Sequence, residues 1–186
     1  MNLRGINYMA SVGSCSCLPN MDALYILTTD LTGGCLAFVT HGCFPSFDYI
    51  VEYHKCYRCK FTSAIWPQAR ETCNRLQSSH LVVIDDSREQ YAVSVYLQPY
   101  KYSKNNLFWT AGTRPAVDDP NAFFWEPYPG QNRTIVNYNW DALPSVASGL
   151  TDPAKNCIAY NSQSATWFNN HCSSAFLILC EIDMEI

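Results

Sequence analysis

Ten cysteines are the residues with the most evident chemistry in this chain of 186 residues. Cys15 and Cys17 form a C-x-C pair, and Cys56 and Cys59 form a C-x-x-C pair. Four thiolates at such spacings can hold zinc in a tetrahedral site. The even count favours disulfides instead, since secreted proteins pair their cysteines and cytosolic proteins rarely keep so many. We therefore expect disulfide bonds and a secreted or extracellular protein.

The other residue types that carry catalysis form no site pattern. The sequence contains no His-x-x-x-His spacing and no Gly-x-Ser-x-Gly nucleophile setting. Asp85 and Asp86 directly precede Ser87, so we expect them to support a helix N-terminus rather than to act as an acid–base pair. No enzymatic activity is expected. The four histidines are scattered: His41, His54, His80 and His171.

Charge and composition narrow the partners. The net charge is −4, which disfavours nucleic acid and anionic membrane surfaces. No apolar run is long enough to span a bilayer. The sequon Asn132-Arg133-Thr134 predicts an exposed, glycosylated Asn132 between turn residues Gly130 and Asn137. Residues 1–20 lack the basic start and apolar core of a signal peptide, so we expect a truncated start or a fragment of a longer chain.

Two helices are predicted from apolar periodicity. Ser63 is the expected N-cap of the first helix, with Pro67 tolerated in its first turn. Ser87 is the expected cap of the second helix, which continues to Leu97. Apolar residues of the first helix recur at Ile65, Ala69, Cys73 and Leu76.

Short apolar runs predict strands at 80–84, 107–111 and 175–179. Between them, residues 98–106 form a polar loop, and residues 112–156 are irregular and hold six of the ten prolines. Irregular stretches longer than about 12–15 residues are uncommon in compact domains and are usually functional. The long loop is therefore where we expect ligand binding.

The first 42 residues hold too little apolar material for a core of their own. Short strands are possible at 23–27 and 35–39, around a Gly33-Gly34 turn. We expect residues 1–42 to be a cysteine-containing extension tied down by disulfides, and residues 43–186 to be the main domain.

The C-terminal stretch carries a motif that points to a family. It contains Cys157, then Trp167-Phe168-Asn169, Cys172, and the run from Phe176 to Cys180 followed by Glu181. This ending resembles that of the C-type lectin-like domains, in which a Cys, a Trp-Asn-Asp-like triplet, a Cys and Phe-Ile-Cys-Glu follow in that order. The resemblance covers about residues 43–182. Upstream, it also includes Trp66, Ala69 and Cys73 of the first helix, the strand at 81–84 and the core strand at 108–112.

The resemblance implies an α+β fold with two helices, two small antiparallel sheets, a long loop on one side, and stabilising disulfides. Cys15, Cys17, Cys35 and Cys59 would then pair among themselves, with three connectivities open. The pairs that the resemblance implies are Cys43–Cys56, which marks the long form of the domain, Cys73–Cys180 and Cys157–Cys172.

Family members that bind sugar do so through calcium, which needs several oxygen ligands. The resemblance places these ligands beside a proline, two residues before the second conserved cysteine, and after the tryptophan. In this chain Pro144 has Leu143 and Ser145 as neighbours, Lys155 precedes Cys157 by two residues, and Phe168-Asn169 follow Trp167. No carboxylate remains at these positions, so we expect no calcium at the primary site and no other cofactor.

Two weaker ion sites stay open. Glu126-Pro127 offers a Glu-Pro pair, but far before Cys157. The resemblance also allows an auxiliary calcium near the second helix, with Asp85, Asp86 or Glu89 as ligands.

The expected function is extracellular recognition of a protein, or of a glycan by a non-standard mode. The loop tyrosines Tyr100, Tyr102 and Tyr128 fit an interface, where tyrosine is enriched. A carbohydrate-binding lectin and a structural part of a multi-chain extracellular assembly are the alternatives. The ligand-binding candidates are Tyr128, Pro144, Ser145, Lys155 and Asn169.

Overall fold

The structure of the chain is a computed structural model. For residues 3–39 and 49–50 it describes the backbone alone. It describes residues 3–9, 14–19, 35–39, 43–44, 46–50, 55–76, 78–104, 106–115, 123–136, 139–140 and 152–183.

The N-terminal residues form a small antiparallel sheet. Its strands are β1 (Leu3–Met9), β2 (Ser14–Pro19) and β3 (Cys35–Val39), in the order β2-β1-β3. Strand β3 coincides with the strand predicted at 35–39. The strand predicted at 23–27 and the Gly33-Gly34 turn lie outside the described residues. The division between an extension and a main domain at residue 43 stays a prediction.

Nine strands form the main sheet, in the path β11-β10-β7-β12-β5-β4. Strand β6 pairs with β12, and β8 joins β7 to β9. Their bounds are β4 (Asp48–Ile50), β5 (Lys55–Ala64), β6 (His80–Leu81), β7 (Leu107–Thr113), β8 (Phe124–Trp125), β9 (Arg133–Thr134), β10 (Cys157–Asn161), β11 (Thr166–Asn170) and β12 (Phe176–Asp183).

The pairing of β7 with β12 joins the two halves of this sheet. It is parallel, with Leu177 opposite Phe108 and Ile178 opposite Trp109, whereas the neighbouring pairs are antiparallel. The sequence places these strands in two antiparallel sheets, and the structure links them into one mixed sheet. With two helices beside the sheet, the predicted α+β class is confirmed.

Helix α1 (Trp66–Asn74) starts later than the sequence predicts, and Ser63 as its N-cap is wrong. Strand β5 continues to Ala64, which pairs with Phe176, so Ser63 is held in the sheet. The N-cap is Ile65, and no side chain caps this helix. Its buried face agrees with the predicted periodicity and consists of Trp66, Ala69 and Cys73.

Helix α2 (Ser87–Leu97) has Asp86 as its N-cap rather than Ser87. The Asp86 carboxylate accepts from the backbone N–H groups of Arg88 at 2.8 Å and Glu89 at 2.9 Å. A side-chain oxygen in this place satisfies N–H groups that have no partner inside the helix. The predicted polar loop after α2 begins with a short 3₁₀ helix, Gln98–Tyr100.

Three disulfides join the elements, and they are the pairs that the resemblance implies. Cys73–Cys180 ties α1 to β12 across 107 residues, and Cys157–Cys172 closes the loop after β11. Cys43–Cys56 joins the segment before β4 to β5. The core lies between the helices and the sheet, and its largest fully buried side chains include Trp109, Trp125, Trp167, Tyr57, Tyr160 and Phe108.

Candidate ligand-binding site

The end of the long loop brings two of the candidates together. Residues 152–156 lead into β10, which pairs antiparallel with β11. Asn169 of β11 is only 5% exposed, and its Nδ2 donates to the backbone carbonyl of Lys155 at 3.1 Å. The Lys155 Nζ lies 3.8 Å from Asp152 Oδ2. The amide of Asn169 therefore holds the loop backbone, while Lys155 adds an ammonium at the same place.

A buried arginine fixes this loop end from the sheet side. Arg114 follows β7 and is 4% exposed. Its Nε donates to Asn156 Oδ1 at 3.1 Å, and one Nη donates to the Asp152 carbonyl. Its guanidinium also lies 4.6 Å from the centroid of the Phe123 ring. Because a guanidinium keeps its charge in proteins, Arg114 places a permanent positive charge beside the loop.

Phe168 occupies a position where the resemblance calls for a side-chain oxygen. Its ring packs edge to face against Phe176, with 6.0 Å between centroids. The Phe176 ring in turn lies 4.6 Å from Trp109. Phe168 is therefore part of an aromatic contact that continues into the core, and it offers no metal ligand.

Two tryptophans fix the base of the loop. A β-bridge joins Trp140 to Trp167, and their rings meet edge to face at 6.0 Å. The Trp167 backbone N–H donates to the Asn139 carbonyl, and its indole N–H donates to Gln90 Oε1, each at 2.8 Å. Packing and hydrogen bonds within the chain thus hold the described part of the loop.

The remaining candidates do not join Lys155 and Asn169. Pro144 and Ser145, with Leu143, lie outside the described residues, so their roles stay predictions. Tyr128 is half-buried and contacts His80 edge to face at 5.5 Å, near the end of β12.

Five residues near Tyr128 form a charged group that we call the Lys55 cluster. Its central atom is the Lys55 Nζ, which lies 3.1 Å from Glu89 Oε1 and 3.4 Å from Glu181 Oε1, and which also pairs with Asp183. His80 Nε2 lies 3.3 Å from Asp183 Oδ2, and its Nδ1 lies 2.8 Å from the Leu81 carbonyl. Both ring nitrogens therefore face acceptors, which suits the protonated imidazolium. The members are Lys55, His80, Glu89, Glu181 and Asp183.

The electrostatics of the Lys55 cluster follow from burial and pairing. Burial would lower the pKa of Lys55, but Glu181, Glu89 and Asp183 raise it above its ordinary value. Burial raises the pKa of Glu181 to about 7, against the opposing effect of Lys55 and His80. Burial also acts to lower the pKa of His80, but Asp183 and Glu181 raise it overall. The hydrogen bond from His80 holds the pKa of Asp183 well below its usual range.

The carboxylates proposed for an auxiliary ion already have partners inside the chain. Asp86 caps α2, Asp85 pairs with Arg133, and Glu89 pairs with Lys55. The Lys55 ammonium supplies the positive charge at this place. These contacts give no support to the auxiliary calcium alternative.

Glu126, the other alternative ligand, is also engaged. One of its oxygens pairs with Arg70 of α1, and the other accepts from the Gly130 backbone N–H at 3.0 Å. It therefore stabilises the turn that precedes Asn132. Gly130 adopts φ 79°, a left-handed conformation that glycine tolerates well.

Asn132 is exposed, as the sequon predicts. It immediately precedes β9, and Thr134 of the same sequon is exposed and pairs with Phe124 of β8. Both side chains that the modification requires are therefore accessible. Asn137, the predicted second turn residue, lies outside the described residues.

Cys59 departs from the prediction that it forms a disulfide. Its thiol is free and half-buried in β5, opposite Leu179 of β12. Cys56, its partner in the C-x-x-C pair, is bonded to Cys43, so these two residues do not form a zinc site.

Sequence reasoning missed Lys55 and Arg114. Both are single basic residues without a surrounding motif, and their partners are remote in sequence. Lys55 meets Glu181 across 126 residues, and Arg114 meets Asp152 across 38. The alternating burial of β5 and the position of Arg114 directly after a buried strand are the only local signals that an analysis of the sequence could have used.

Comparison with known proteins places the chain beside a set of recognition domains. A family model described as Lectin C-type domain matches residues 62–182. Regenerating islet-derived protein 3-alpha of Rattus norvegicus is 30% identical over 130 residues, which make up 68% of this chain and 70% of that protein. No helix among the described residues has the length and apolar character needed to cross a membrane.

Two solved structures illustrate the similarity in fold. The human scavenger receptor C-type lectin carbohydrate-recognition domain matches with a TM-score of 0.57 and 21% identity, covering 77% of this chain and 100% of that domain. A calcium-independent type II antifreeze protein matches with a TM-score of 0.56 and 17% identity, covering 76% of this chain and 95% of that protein.

Proposed function

We propose that this chain, which belongs to the Lectin C-type domain family, is an extracellular recognition module that binds a protein or a glycan without calcium. Its three disulfides suit an oxidising compartment. No arrangement of described side chains suggests catalysis, so the proposed activity is binding alone. The long loop and the strands β10 and β11 form the proposed binding region.

The contact between Asn169 and Lys155 carries the proposal of calcium independence. Calcium requires about six to eight oxygen ligands, with carboxylates prominent among them. Asn169 is buried and uses its amide to bond the Lys155 carbonyl, while Lys155 adds a positive charge. A cation at this place would be repelled by the ammonium and would find few ligands.

Arg114 and the tryptophan pair support the same proposal from a second direction. In a calcium-dependent site the ion orders the loop. Here the Arg114 guanidinium bonds Asp152 and Asn156, and Trp140 packs on Trp167. These contacts give the loop end an internal means of keeping its shape, which an ion would otherwise have to provide.

The comparisons are compatible with either kind of ligand. One similar structure is titled a carbohydrate-recognition domain, and another is titled calcium-independent. A shared fold hosts different functions, so the choice has to come from the site. A calcium-dependent carbohydrate-binding lectin is therefore the second candidate, and it is favoured by the names of relatives rather than by the site geometry.

A glycan array and a pull-down from extracellular fluid, each with calcium and with EDTA, test the proposal. We expect any captured glycan or protein to stay bound in EDTA. The variant Lys155→Glu should weaken that binding if the loop end contacts the ligand, whereas the matched variant Lys104→Glu, in the loop after α2, should not. Binding that is lost in EDTA would support the lectin alternative and overturn the proposal.

A further inference from the structure

Cysteine parity leaves thiols without a partner inside one chain. The chain has ten cysteines, and the three bridges use six of them. Cys59 is a free thiol. Cys15, Cys17 and Cys35 remain, and three cysteines cannot all pair with one another. At least one cysteine of the N-terminal sheet therefore has no partner within the chain.

The N-terminal sheet keeps Cys35 apart from the other two. Strands β2 and β3 lie on opposite sides of β1, with Cys15 opposite Tyr8 and Cys35 opposite Met9. Strands on either side of a third are about 9–10 Å apart, whereas the Cα atoms of a disulfide lie within about 7 Å. Cys35 therefore cannot reach β2 across the intervening strand.

Cys15 and Cys17 are poorly placed to bond each other. They are two residues apart on the extended strand β2. Their Cα atoms are therefore about 6.6 Å apart, at the far end of the range for a disulfide. The strand would have to bend to close such a bridge, and bending would disturb the regular pairing of β2 with β1 over this stretch.

We propose that β2 joins two copies of this chain through disulfides formed by Cys15 and Cys17. Strand β2 is an edge strand, and among the described residues it pairs with β1 only. The unpaired backbone groups of an edge strand are a template for another strand. The inference rests on the extracellular location proposed above, because such bonds persist in oxidising compartments.

Two-fold symmetry fits the spacing of these cysteines. An antiparallel pair of β2 strands centred on Ser16 places Cys15 of each copy opposite the partner subunit's Cys17. Residues directly opposite in such a pair have Cα atoms about 4.5–5.5 Å apart, within the disulfide range. One contact then forms two equivalent bridges, as the self-complementary interface of a symmetric dimer requires.

The bond forms by thiol–disulfide exchange with an external disulfide oxidant such as oxidised glutathione. The Cys15 thiolate attacks the oxidant and forms a mixed disulfide, releasing one thiol. The thiolate of the partner subunit's Cys17 then displaces the second thiol and forms the S–S bond between the chains. For each bridge two cysteine thiols are oxidised, one external disulfide is reduced, and the two protons end on its thiols.

Non-reducing electrophoresis and intact mass of the full chain, oxidised with the glutathione couple, test the inference. We expect a species of twice the 21.1 kDa chain mass that reverts to one chain on reduction. The double variant Cys15→Ser/Cys17→Ser should be monomeric. The matched variants Cys35→Ser and Cys59→Ser should remain dimers, and peptide mapping should join Cys15 to Cys17.

A wild-type chain that stays monomeric with free thiols at Cys15 and Cys17 would overturn the inference. A covalent dimer that persists in the double variant, or one bridged through Cys35, would overturn it too. Any of these results leaves the proposed function intact, because ligand binding in EDTA is measured independently of the oligomeric state.

Discussion

At the residue scale, lysine and arginine stabilise places where this fold concentrates polar groups. The Lys55 ammonium meets three carboxylates, one of them on the fully buried Glu181. The Arg114 guanidinium bonds the loop end in a similar way. Buried carboxylates are costly unless they are paired, so we expect the protein to depend strongly on Lys55.

Replacing Lys55 by methionine should destabilise the protein by about 3–5 kcal/mol, because it leaves buried carboxylates without their cation. The measurement is urea unfolding at neutral pH. Lys60→Met is the matched control, since Lys60 lies on the same strand and has no ion pair among the described residues. Equal effects of the two variants would show that the Lys55 cluster contributes little.

Stability should fall as the pH rises from 6 to 8. His80 has a raised pKa in the folded protein, so the folded state holds its proton more tightly than the unfolded chain does. This stabilisation is complete below about pH 6.5 and is lost as the pH rises through the folded pKa. Glu181, with its pKa raised to about 7, acts in the same direction.

Melting curves across this pH range check the prediction. His80→Gln should flatten the decline, although the contribution of Glu181 should remain. Asp183 acts in the opposite direction, but its lowered pKa matters only in acid, below about pH 4. A His80→Gln variant with the same pH slope as the wild type would contradict the role assigned to His80.

At the element scale, tertiary pairing decides where helices begin. Strand β5 extends to Ala64 because it pairs with β12, and this displaces the start of α1 from Ser63 to Trp66. At α2 the cap is Asp86, whose extended backbone (φ −143°) directs its carboxylate to two N–H groups. Both starts are set by details that residue preferences alone do not resolve.

The two possible caps of α2 can be separated by substitution. Asp86→Ala should cost about 1 kcal/mol, the usual effect of removing a capping side chain. Ser87→Ala should have a much smaller effect, because Ser87 is the first residue of the helix rather than its cap. Chemical denaturation of both variants gives the comparison, and a larger loss for Ser87→Ala would show that the assigned cap is incorrect.

The sequence could predict those parts of the fold that depend on periodicity and cysteine spacing. The buried face of α1, with Ala69 and Cys73, and the strand at 107–111 agree with the structure. Membership of the C-type lectin-like family is confirmed by the match over residues 62–182. The Lys55 cluster could not be predicted, because its members are brought together only by the folded sheet.

The candidate site could be predicted only in part. Lys155 and Asn169 do lie together, and Phe168 supplies no ligand oxygen. The contact of Tyr128 with His80 could not be foreseen, since nothing in the long loop indicates which way it turns after β8. Arg114 was missed for the same reason, because its partners follow the loop rather than precede it.

At the scale of the whole molecule, the surface of the β8–β9 region should be glycosylated at Asn132. Both Asn132 and Thr134 are exposed, which allows the modifying enzyme to reach the sequon. Intact mass before and after glycosidase treatment of protein secreted from eukaryotic cells measures this. Thr134→Ala should abolish the mass difference although Asn132 is kept. An unmodified wild-type protein would contradict the prediction.

The central claim for the whole molecule is that it keeps its fold and its loop without calcium. An ion bound at 100 times its Kd stabilises a protein by about 2.7 kcal/mol, which for a chain of this size raises the melting temperature by about 5–10 °C. The most direct test is therefore the melting temperature of the full chain in millimolar calcium and in EDTA. We predict the same value in both. A melting temperature several degrees higher in calcium would contradict the claim and would point to a site outside Lys155, Phe168 and Asn169.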